Sequence, residues 1–184
     1  NWTLTLHNNG EVPLIDYTVK DTMEYPYIFT GDVKYTSYTM TGKEWTKPEK
    51  QGTLFSITDR ILEAEQTYLQ VTDGSKTYKI LLAESEENAQ WTELSTTLET
   101  HVYGKFQLRF YKEGNREIME IHMSDPRYQL LSGGYAELAV STVNKTNERP
   151  YKIYTNHVVQ KPTQIYEADR VTQGMNVTDE TGKN

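Results

Sequence analysis

Trp2, Leu4 and Leu6 alternate with Thr3, Thr5 and His7, the period of two expected of a half-buried strand. Asn8-Asn9-Gly10 then predicts a turn, because Asn and Gly tolerate positive φ. The next alternation puts Ile15, Tyr17, Val19 and Asp21 on one face and Asp16, Thr18 and Lys20 on the other. Further strands are predicted at Val33–Met40, Leu54–Thr58, Thr67–Val71 and Thr77–Leu82, the last two flanking the hairpin signal Asp73-Gly74. Glu44 to Gly52, with Pro48, reads as a loop. From Ser85 to about Glu99, Trp91, Leu94 and Leu98 recur at helical spacing behind a possible Ser85 cap, which predicts a short helix. Phe106–Tyr111 and Glu117–Met123 flank Glu113-Gly114-Asn115 as a second hairpin, and Tyr135–Val143 and Tyr151–Val159 complete the pattern.

About nine short strands, one helix and no βαβ rhythm predict an all-β, antiparallel immunoglobulin-like sandwich. Residues 1–184 read as one domain with its core in about 1–160, and 161–184 as an extended segment leading to a missing final strand. The chain is expected to be clipped at both ends. Trp2, Leu4, Leu6, Ile15, Tyr17, Val19, Leu138 and Val140 are the expected core.

Composition narrows the chemistry. Hydrophobic residues make up 36% of the chain, low enough to suggest disorder, but 14 Tyr, 4 Phe and 3 Trp argue for a folded β protein. A net charge of −7 leaves no cationic stripe for nucleic acid. No apolar run approaches a membrane span, and the absence of cysteine excludes disulfides, thiolate metal sites and Cys nucleophiles. His7, His101, His122 and His157 show no metal-ligand spacing, no phosphate loop or nucleophile elbow is present, and neither metal nor cofactor is expected. Ser132-Gly133-Gly134 reads as a turn, the three N-x-T triplets at Asn1, Asn144 and Asn176 as chance, and Glu84-Ser85-Glu86-Glu87 as a solvated helix start rather than a calcium site. Tyr25, Tyr27, Tyr35, Tyr38 and Trp45 could form a stacking platform, so a carbohydrate- or ligand-binding module is the alternative reading.

Two positions stand out because their types conflict with their pattern. Asp21 continues an apolar face, and Asn156 shares a face with Tyr154 and Val158; burying either group unpaired costs a few kcal/mol. The run from Trp2 to Asn9, then Tyr17-Thr18-Val19-Lys20-Asp21-Thr22, and later Tyr154-Thr155-Asn156-His157-Val158, resembles the isopeptide-forming domains, of DE-variant immunoglobulin fold, found in Gram-positive collagen-adhesin-like and fimbrial surface proteins. Gln164 to Gly174 is similar to the stretch before that family's final strand.

The resemblance implies a structural or adhesive, non-enzymatic module on the bacterial cell surface or cell wall. In that family an internal Lys–Asn amide joins two strands. Asp21 matches the acid that promotes the bond and Asn156 its acceptor. The family's lysine lies on a strand ahead of the one that begins here at Trp2; Lys20, on the opposite face from Asp21, is a poor substitute. The implied partners are a host extracellular-matrix protein or glycan and neighbouring domains of the same chain.

Overall fold

The computed structural model describes residues 2–41, 44–97, 103–144, 156–162 and 175–181, with side chains for 2–38, 51–95 and 104–144. Its strands are β1 (Trp2–Asn8), β2 (Tyr17–Met23), β3 (Tyr27–Thr41), β4 (Glu44–Glu63), β5 (Gln66–Thr72), β6 (Thr77–Ala83), β7 (Thr92–Thr97), β8 (Tyr103–Glu113), β9 (Arg116–Met123), β10 (Tyr135–Asn144), β11 (Asn156–Pro162) and β12 (Met175–Thr181). They hydrogen-bond in the order β11-β2-β9-β8-β6-β5-β4-β3-β10-β1-β12, with β7 also on β8. The protein is all-β.

The expected pair of antiparallel sheets is instead one continuous sheet, mixed through a short parallel contact between β6 and β8, Leu82 with Phe110 and Ala83 with Tyr111. The sheet curls on itself. Phe29 of β3 meets Phe110 of β8 at 6.4 Å between centroids, and Phe55 of β4 meets Phe106 of β8 at 5.8 Å, although intervening strands separate them along the sheet. The two end strands, β11 and β12, also come alongside each other. One face therefore wraps a core to which Leu4, Leu6, Tyr17, Val19, Leu138 and Val140 contribute, all essentially inaccessible. Trp2 belongs to it as well, its indole nitrogen donating to Thr142 Oγ1 at 3.2 Å. Ile15 does not: it precedes β2 and is only half-buried.

Three other expectations are corrected. The stretch from Glu44 to Gly52 is not a loop but the first half of β4, which pairs with β3. Pro48 is tolerated because the register shifts on both sides of its partner Tyr38, and a bulge absorbs a residue that cannot donate to the ladder. The helix predicted from Ser85 is a 3-10 turn at Glu86–Asn88 followed by β7. Thr92, Thr96 and Thr97 are β-branched and stiff in a helix, and Leu94 is buried opposite Phe106 of β8. Finally, Met175–Thr181 is not tail: as β12 it pairs with β1 along its whole length, Trp2 opposite Thr181 and Asn8 opposite Met175. Leu98, Tyr154 and the stretch from Gln164 to Gly174 lie outside the described residues.

Candidate functional site

β2 reads Tyr-Thr-Val-Lys-Asp-Thr-Met, and its inward alternation buries Tyr17, Val19, Asp21 and Met23 completely or nearly so. Asp21 is 0% exposed, a carboxyl placed where the pattern calls for an apolar residue. Its strand is hemmed in on both edges, with Met119 of β9 directly opposite on one side and Val158 of β11 on the other. Asn156 begins β11 and pairs with Met23, two positions along from Val158. The chain thus brings the strands of Asp21 and Asn156 together as hydrogen-bonded neighbours, although 135 residues separate them. Asp21 and Asn156 thus occupy diagonal positions across an antiparallel pair, a spacing of about 7–8 Å.

Lys20 turns the other way. Its ammonium lies 3.9 Å from Glu113 and 5.9 Å from the centroid of the Tyr111 ring, on the outer face of the sheet. It stands on the side away from Asp21, as the alternation required.

That outer face carries a polar cluster that pattern reading missed. Arg109 of β8 stands opposite Glu120 of β9, and its Nη2 donates to both carboxylate oxygens at 3.1 and 3.2 Å. The Tyr111 hydroxyl donates to the same carboxylate, and burial, then that bond, pushes its pKa far above the usual phenol value. The guanidinium also reaches Glu86 at 3.2 Å and lies 4.5 Å from the Trp91 ring centroid. Beside it His122 bridges Asp16 at 2.7 Å and Gln107 at 2.8 Å. These contacts tie the crossing segment 84–91 across the back of β8 and β9, where Ala83, Tyr111 and Ile118 form a second small core. The signal was present in the sequence. Counting back from the Glu113–Arg116 turn pairs Arg109 with Glu120.

The five aromatic residues proposed as one platform are dispersed. Tyr35 is a core residue, edge-on to Tyr128 at 5.5 Å. Tyr38 stacks on Tyr135 at 4.5 Å, and Tyr135 on His7 at 5.2 Å, a ladder across β3, β10 and β1 in which the flat faces are spent on one another. Trp45 lies in β4 with its side chain outside the described set. Tyr25 and Tyr27 border a cleft at one end of the sheet.

Among the described residues no group of three or more His, Asp or Glu is placed to hold a metal ion, and no helix is long and apolar enough to cross a membrane. No family model matches the chain, and comparison with curated proteins and with solved structures found no match.

Proposed function

We propose that this chain is a structural, adhesive module of a cell-wall-attached bacterial surface protein, built on the DE-variant immunoglobulin plan and belonging to the isopeptide-forming class. The observation that carries the proposal is a wholly buried Asp21 on a strand whose hydrogen-bonded neighbour begins at Asn156. Water exclusion favours the neutral form of a carboxyl, and a neutral acid can donate a hydrogen bond to an amide carbonyl and polarise it. The same desolvation deprotonates a buried lysine and leaves a nucleophilic amine. The amine nitrogen attacks the Asn156 side-chain carbon, the C–N bond to the amide nitrogen breaks, and ammonia departs with the proton that the lysine gives up. Asp21 relays protons and is regenerated. Such a bond replaces a disulfide as the covalent staple in a chain with 0 cysteines and lets a thin module bear tension.

The test is intact mass. A chain carrying a lysine-bearing strand ahead of Trp2 should weigh one ammonia less than its sequence, and Asp21→Ala or Asn156→Ala should restore the full mass. Full mass in the otherwise unaltered extended chain, folded by circular dichroism, would overturn the reading.

A further inference from the structure

Three turns converge at one end of the sheet: the β2–β3 connection through Tyr25, the β4–β5 hairpin and the β8–β9 hairpin at Gly114-Asn115. Between them lies a cleft of about 410 Å³, within the range of small-molecule sites. Its lining includes three cations, Arg60, Lys112 and Arg116, against one carboxylate, Glu117, on a chain whose net charge is −7. Each cation stands beside a carboxylate, Arg60 by Glu117, Lys112 by Glu84 and Arg116 by Glu24, and the last two carboxylates lie outside the lining.

The cleft is built rather than incidental. Glu117 is 6% exposed and holds Arg60 through Nη2, which also reaches the Phe29 carbonyl at 3.3 Å. Among the described residues, Nη2 is the guanidinium nitrogen of Arg60 that carries these bonds. Lys112 and Arg116 lean toward Glu84 at 3.7 Å and Glu24 at 3.4 Å, surface pairs of the kind worth little in water and readily exchanged for a ligand. Tyr25 stands at the mouth with 46% of its surface exposed, and Asn115 supplies an amide.

We infer that this cleft binds a carboxylate-bearing sugar, a hexuronate unit of an acidic glycan. A planar guanidinium matches a planar carboxylate with paired donors, while lysine adds an unoriented charge. An exposed tyrosine face suits the apolar C–H face of a sugar ring, and an amide suits its hydroxyls. A bare inorganic anion would use the cations and leave Tyr25 and Asn115 uncovered. The inference is independent of the amide chemistry at Asp21, since the two sites share no residue.

The probe is a glucuronate-containing disaccharide titrated into the isotopically labelled chain and followed by amide NMR shifts. Millimolar binding is expected, with shifts clustered at Tyr25, Asn115 and Arg116. A neutral disaccharide should bind at least about tenfold more weakly. Tyr25→Ala and the double variant Lys112→Gln/Arg116→Gln should each weaken glucuronate about tenfold, and both should fold because these side chains are exposed or flank the surface. Shifts mapping elsewhere, equal binding of the neutral sugar, or no response at all would overturn the proposal. So would acetate or phosphate reproducing the whole shift pattern at equal affinity, or an Asp/Glu-rich peptide binding the cleft more tightly than the sugar.

Discussion

Gly104 of β8 has no room for a side chain. A Cβ built there would overlap Cζ, Cε2 and the hydroxyl of Tyr128. The ring cannot step aside, because it is 1% exposed and packed edge-on against Tyr35 at 5.5 Å and Phe106 at 6.5 Å. Its hydroxyl donates to the Gly104 carbonyl at 3.0 Å, and its own carbonyl accepts from the Tyr17 hydroxyl at 2.8 Å. Gly104→Ala should therefore incur an overpacking cost of about 1–3 kcal/mol and lose most of a hydrogen bond worth about 1 kcal/mol. The expected total is about 2–4 kcal/mol, or a fall in melting temperature of about 4–16 °C for a chain of this length. Because Tyr17 lies on the strand of Asp21, the perturbation also bears on how firmly β2 is held. Urea denaturation of four proteins, the parent chain, Gly104→Ala, Tyr128→Leu and the double variant, isolates the clash from other effects. Once the Tyr128 ring is gone, Gly104→Ala should cost little. A single variant within about 0.5 kcal/mol of the parent, or the same cost in both backgrounds, would refute the reasoning.

Two further outcomes follow from titrating groups. The Asp125 carboxyl is held well below the usual carboxylate range, first by hydrogen bonds from the Arg127 side chain at 2.9 and 2.6 Å and then by the backbone N–H groups of Arg127 and Lys105. A depressed folded pKa stabilises above the unfolded value and is lost as pH falls, so Asp125→Asn should destabilise at neutral pH and the gap should shrink below about pH 4; a gap independent of pH in a series of urea melts would contradict this. Tyr17, Tyr111 and Tyr128 are pushed above the ordinary phenol range, in each case chiefly by burial. The stability they contribute is complete below about pH 10 and fades as pH rises through their folded values, so their phenolate absorbance should appear only together with unfolding. Ionisation of all 14 tyrosines near pH 10 with circular dichroism unchanged would show the burial argument to be wrong.

Local alternation was enough to mark most strands and both hairpins, because a half-buried strand writes its period of two directly into residue order. It also singled out Asp21, since a carboxyl that continues an apolar face is visible without coordinates, and burial at 0% followed. Leu94 shows where the pattern fails. Its spacing to Trp91 fits a helix turn, yet one buried leucine among threonines serves a strand as well, and pairing with β8 decides between them. Pro48 and Met175–Thr181 fail for the same reason. A strand can hold a proline at a bulge, or a polar run beside β1, when a partner strand supplies the hydrogen bonds; for Met175–Thr181 that partner is remote in sequence, and for Pro48 it is the preceding strand, whose register shift the residue pattern does not reveal. The chain by itself determined which residues prefer water and which avoid it. Only the tertiary structure decided that the strands form one curled sheet, that β11 lies against β2, and that Arg60, Lys112 and Arg116 meet around a cleft, because strand pairing is set by contacts between distant segments competing for the same edges.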